Sequence, residues 1–171
     1  MSDLVVDTAA RRIGDIPCLI GRSGTIAADA KREGDGATPL GRWPIRCVLL
    51  RPDRIALPAG LRLPWRWLRP DDGWSDDAAD PVYNRPVRHP HRFSAERLWR
   101  DDSAYDVIVI LGHNDGPPVP GHGSAIFFHV AAPGATHTEG CIAIDRDAAF
   151  GMGRDRSRCD ARTDRKSTRL N

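Results

Sequence analysis

The apolar residues of this chain come in short runs, each cut off within a few positions by glycine or proline. That punctuation points to a β-rich fold of short strands joined by turns. Residues 105–111 hold the clearest buried strand, with Val107, Ile108, Val109, Ile110 and Leu111 in succession. Residues 124–130 read as another, from their aromatic and β-branched content, and 43–50 as a third. Shorter candidates lie at 4–6, 18–20 and 142–144, with Gly14, Pro17 and Gly21 as breaks. Residues 51–92, rich in proline and aspartate, read as a long irregular but ordered excursion over the sheet. Residues 94–100 read as a short helix, with Ser94 as N-cap and Glu96 favourable against the positive end of the dipole. Residues 113–121 form a turn-rich loop leading into the 124–130 strand.

With 171 residues and 40% hydrophobic content, the chain is long enough for one sizeable core and too short for two ordinary ones. A net charge of +2, with acids and bases interspersed, gives no ground for a nucleic-acid partner. Four cysteines, Cys18, Cys47, Cys141 and Cys159, show neither a CxxC pair nor regular spacing, so neither a zinc ribbon nor a disulfide scaffold is indicated. Cys18 and Cys47 read as core or free thiols. Nowhere do eighteen apolar residues follow one another, so no membrane insertion is expected, and the N-terminus carries no recognisable export signal. A monomer is expected.

The chemistry concentrates in residues 129–141. A thiol is a weak nucleophile until a base takes its proton, and His129, carried on a strand and held by packing, is the candidate base for Cys141. Gly140 lets the backbone turn sharply, so that amide N–H groups around Gly140 and Cys141 can face a developing oxyanion. The bland alternative for each residue alone is a buried core cysteine and a hydrogen-bonded strand-end histidine. Strand, histidine, glycine and cysteine together favour the nucleophile.

His129, Thr138, Gly140 and Cys141 resemble the signature of the L,D-transpeptidase catalytic domain family (YkuD-type), a histidine followed after a spacer by Ser/Thr-His-Gly-Cys. Residues 31–45, with Thr38, Pro39, Gly41 and Trp43, are similar to the family's Thr-Pro-x-Gly-x-aromatic strand entrance. Stretches at 73–77, 83–86 and 123–129 look like its compact proteobacterial branch, so the likeness runs from about Ile16 to Ile144. The resemblance implies a mainly β, L,D-transpeptidase-like β-sandwich or barrel with one or two short helices and a long irregular excursion. It implies acyl transfer on peptidoglycan stem peptides through a cysteine acyl-enzyme, with no metal and no organic cofactor, in a bacterial cell-wall setting. Catalytic roles then fall to Cys141, His129, Gly140 and Glu139, and substrate binding to Thr138 and His137; Lys31 and Arg32 are candidates to meet a substrate carboxylate, with a solvated charge pair as the equal alternative.

This chain departs from that pattern in three places, one being a spacer between His129 and Thr138 that is short for the family. Glu139 stands where the family has a second histidine, giving Thr-Glu-Gly-Cys in place of Ser-His-Gly-Cys, and Ala143 replaces a polar residue two after the cysteine. A carboxylate turned toward sulfur raises the thiol pKa, whereas one turned toward His129 stabilises the imidazolium; the latter orientation is the one favoured here. His137 is the candidate replacement for the absent histidine.

Other readings remain. A zinc-dependent hydrolase would draw on His113, His122, His129, His137 and Cys141, although no spacing matches a ligand pattern. A catalytically silent wall-binding module fits Glu139 and Ala143. Residues 61–70 interleave tryptophan and arginine, either for stacking on sugars or a membrane surface, or with indoles packed on the sheet and arginines at the rim; the second is favoured. The domain is placed at 1–150. Residues 151–171, charged and almost without apolar residues, read as a disordered or non-native tail left by a frameshift, truncation or cloning artefact, since relatives would continue with a helix and a closing strand. A peptidoglycan substrate places the protein in the periplasm or cell envelope. With no visible signal, either the start is misassigned, export is unconventional, or the substrate is a cytoplasmic precursor.

Overall fold

The structure is a computed structural model that describes residues 3–151 and 167–170. A ten-stranded sheet dominates it. Its order is Arg42–Trp43, Ser167–Leu170, Leu4–Asp7, Arg12–Ile13, Ile16–Leu19, Ile142–Ile144, Phe127–Val130, Val107–Leu111, Ile45–Leu50 and Trp65–Trp67. The expected strands are all present, though the 43–50 run is divided around Pro44 into Arg42–Trp43 and Ile45–Leu50. Proline has no N–H to give to a ladder, which explains the division.

Alternation along the central strands builds two apolar layers. Leu49, Ile108 and Phe127 pack with Trp74, Leu98 and Cys141, whereas Ile142 and Ile144 pack with Val6, Cys18 and Ile20 on the other side. Antiparallel pairing sets Ile108 opposite both Leu49 and His129, and parallel pairing sets His129 opposite Ala143. The histidine thus shares a face with Phe127, two residues earlier, and with the Cys141 side of the neighbouring strand.

The excursion at 51–92 contains more regular structure than its composition indicates. Trp65–Trp67 joins the main sheet, and Asp72–Ser75 is the centre of a second, three-stranded sheet between Pro86–Arg88 and Ala95–Arg97. The expected helix at 94–100 is therefore a strand. Glu96 pairs with Trp74 across it, and tertiary pairing overrides a weak helical preference. Trp65 and Trp67 are 36% and 38% exposed, while Arg66 turns to Asp72 at 2.5 Å. The indoles are therefore partly exposed and not packed down on the sheet, and Arg66, its side chain 38% exposed, keeps its place at the rim.

The α-helix Arg146–Gly151 is started by Asp145, whose carboxylate accepts from the Asp147 N–H at 2.9 Å. Cys18 and Cys47 are free thiols, as expected, while Cys159 lies outside the described residues. Of the stretch 151–171, Ser167–Leu170 pairs with Leu4–Asp7 as a strand, and 152–166 and 171 lie outside the described residues. No helix among the described residues is long and apolar enough to cross a membrane.

Candidate active site

Parallel pairing of Phe127–Val130 with Ile142–Ile144 brings His129 and Cys141 into the wall of one cavity of about 500 Å³. Lys31, His137, Thr138, Glu139 and Ala143 also line it.

The turn carrying the sulfur is braced from both halves of the chain. Gly140 has φ +136°, a region closed to most side chains, and a Cβ there would meet the Ala37 carbonyl oxygen at 3.0 Å. The Thr138 hydroxyl donates to the Cys141 carbonyl at 2.6 Å and accepts from the Gly140 N–H at 3.2 Å. Thr38, fully buried, reaches the same carbonyl from below at 3.4 Å and accepts from the Gly21 N–H at 2.9 Å. The two stretches that carry the resemblance, over one hundred residues apart in sequence, therefore meet at the main chain of Cys141.

The surroundings of the sulfur favour its protonated form. Sγ donates to the Ala125 carbonyl at 3.1 Å and accepts from the Phe127 N–H at 3.4 Å. A carbonyl facing sulfur disfavours a thiolate, and burial pushes the Cys141 thiol up to about 12. Ala125 holds its carbonyl there from a left-handed backbone, φ +52°. Asn84 fixes it, accepting from the Ala125 N–H at 3.1 Å and from the Trp74 indole N–H at 2.8 Å. Asn84 also donates to the carbonyls of His113 and Asn114.

His129 is nine-tenths buried, and burial lowers its pKa, so the ring is neutral. Its Nδ1 lies 2.7 Å from the Val130 carbonyl and 3.1 Å from that of Ala104. Carbonyls only accept, so Nδ1 carries the proton and Nε2 keeps its lone pair. The imidazole is thereby fixed in the tautomer that a general base requires, with the Tyr105 ring standing against it at 5.0 Å and 89°.

Glu139 faces neither sulfur nor imidazole. Its carboxylate, with the side chain 70% exposed, binds Arg22 Nε at 2.8 and 3.1 Å. An exposed pair of this kind contributes about 0–1 kcal/mol. Glu139→Gln is accordingly expected to change the alkylation rate of Cys141 less than about twofold, as measured with iodoacetamide between pH 6 and 9.

Lys31 is buried, its ammonium bound to Asp35 and to the Arg32 carbonyl at 3.0 Å, with its side chain on the cavity wall. Arg32 does not line the cavity; its guanidinium turns to the carbonyls of Asp29 and Lys31. His137 is exposed at the mouth, with Nδ1 3.1 Å from the Thr136 hydroxyl. Among the described residues, no three of His, Cys, Asp or Glu are grouped so as to hold a metal ion, so His113, His122, His129, His137 and Cys141 do not form one centre. Sequence reasoning missed Asn84, Tyr105 and Glu96, whose places depend on distant pairing.

A family model for the L,D-transpeptidase catalytic domain, YkuD, matches residues 3–150, and the chain belongs to that family. The curled, mainly β sheet with one short α-helix agrees with its sandwich fold. Membership assigns L,D-transpeptidase-like chemistry in general. No curated protein and no solved structure matches the chain.

Proposed function

We propose that this domain is a cysteine-dependent L,D-transpeptidase acting on peptidoglycan stem peptides. The observation that carries the reading is His129 Nδ1 held against two carbonyls, which leaves Nε2 as the basic nitrogen, in the same cavity wall as Cys141 on its glycine turn. On substrate binding His129 Nε2 takes the Cys141 proton, and sulfur attacks the carbonyl between the L-centre of diaminopimelate and D-alanine. The tetrahedral oxyanion is held by main-chain N–H groups of the nucleophile turn. Because the Gly140 N–H is committed to Thr138, the amide of Cys141 itself is the first choice. His129 returns the proton to the departing amine of D-alanine, then takes one from the acceptor amine as that nitrogen displaces sulfur. Lys31 lines the cavity with its ammonium paired to Asp35, His137 stands at the mouth, and Thr138 acts by bracing the turn.

The buried, protonated thiol favours a second reading, a catalytically silent wall-binding module. Intact-mass analysis after incubation with a carbapenem separates the two. A covalent adduct at Cys141 supports the enzyme, and a chain of unchanged mass supports the silent module.

A further inference from the structure

The cavity holds a carboxylate to which the scheme above gives no part. Glu96 lies on the short strand Ala95–Arg97, whose pairing with Asp72–Ser75 brings it into the cavity wall with Cys141 and His129. The Tyr105 hydroxyl donates to its Oε1, and the same tyrosine ring walls the imidazole. Arg100 lies over the Tyr105 ring at 5.4 Å and is tied to Asp102 at 2.6 and 2.9 Å. Glu96 is thus held in place by the residue that also packs against the base.

We propose that Glu96 is a positioning residue that makes ionisation of Cys141 conditional on His129, its charge opposing a lone thiolate so that sulfur gives its proton only to the imidazole. This rests on the reading of Cys141 and His129 as nucleophile and base. In the step, the S–H bond breaks and an Nε2–H bond forms, so the cavity gains no net charge. Loss of the proton to solvent would instead leave a second negative charge in the cavity that Glu96 lines, in surroundings where water screens it poorly.

Other charges also face the pair. After burial, the Glu96 charge is the largest influence raising the Cys141 thiol, with the Phe127 N–H and Lys31 acting the other way. Burial also raises the Glu96 carboxyl itself, and Asp76 and Glu33 add to this, whereas the Tyr105 hydrogen bond and Arg100 favour the ionised form. Around His129, Arg100 disfavours the imidazolium and Asp102 favours it. The resting enzyme then keeps a protected thiol until a substrate brings sulfur and imidazole into reaction.

The test follows iodoacetamide alkylation of Cys141 by peptide mass against pH, using the full chain. Glu96→Gln is expected to alkylate roughly tenfold faster near pH 8, its profile displaced downward by about one pH unit. Glu96→Asp, which keeps the charge, is expected to stay close to the parent. His129→Ala should slow alkylation by a smaller factor in the Glu96→Gln background than in the parent, because the neutral residue has removed the condition. Should the amide variant fail to fold, Glu96→Ala carries the same expectation. Alkylation as slow as the parent in a folded neutral variant, or an equal His129→Ala factor in both backgrounds, overturns the proposal. Alkylation needs no substrate, which separates the two readings. His129- and Glu96-dependent alkylation without a carbapenem adduct sinks only the transpeptidase reading, and an adduct with unchanged alkylation in Glu96→Gln sinks only this one.

Discussion

Cys141→Ser and Cys141→Ala are expected to abolish both the carbapenem adduct and stem-peptide exchange, while Cys18→Ser and Cys47→Ser leave both intact. The difference comes from surroundings and not from the thiol itself. Burial pushes the Cys18 thiol up to about 11, with Asp7 as the next contribution, and Cys18 packs among Val6, Ile20 and Ile144 without a base. Cys47, half-buried, turns its thiol to the Val48 carbonyl. Among the described cysteines, only Cys141 shares a cavity with a neutral imidazole and sits on a glycine turn. Intact mass and release of D-alanine check the expectation, and an adduct that persists in Cys141→Ala would move the nucleophile elsewhere.

His129→Ala is expected to lower the acylation rate by about 10²–10⁴-fold, the usual contribution of a positioned general base. Burial is the main cause of the lowered His129 pKa, so the base stays unprotonated throughout the neutral range. Activity is therefore lost only as pH falls through a value below the ordinary imidazole range, and it persists on the alkaline side of that value. An acid limb at or above the ordinary imidazole pKa would contradict this assignment. The same burial has a sign for stability. The unfolded chain takes up protons at His129 and His113 before the folded one does, so stability declines as pH drops below about 6.5. Thermal melts of His129→Ala and the parent at matched pH values separate this contribution from catalysis.

Local pattern was enough for the parts of the fold whose burial follows sequence periodicity. Val107–Leu111 and Phe127–Val130 are buried on both sides of the sheet and read as such from their composition alone. The turn at Cys141 was legible for a similar reason, since a glycine stands directly before the cysteine and an apolar run follows it. Asp72–Ser75 was not, because a buried strand of Asp, Gly, Trp and Ser draws its stability from pairing on both edges and from polar contacts such as Arg66 to Asp72. Glu96 followed it, since its helical signal was local and its strand partner lies more than twenty residues upstream. Glu139 could be read as a carboxylate beside the nucleophile, but its partner Arg22 is 117 residues away. A sequence pattern shows where a charge sits and not which distant group will claim it.

Loss of function in this chain is expected to extend beyond the residues that touch substrate. The Cys141 carbonyl is held by Thr38 and Thr138, and Thr38 in turn holds Gly21, whose own Cβ, were it present, would overlap the Gly36 carbonyl at 2.2 Å. A random-mutagenesis survey scored on turnover should therefore return inactivating changes at Gly21, Gly36 and Thr38, none of which lines the cavity, alongside those at the sulfur. Such variants would keep a reactive cysteine in their sequence and lose only its aim. For an engineer, the first forty residues are as much a part of the nucleophile as the cysteine codon.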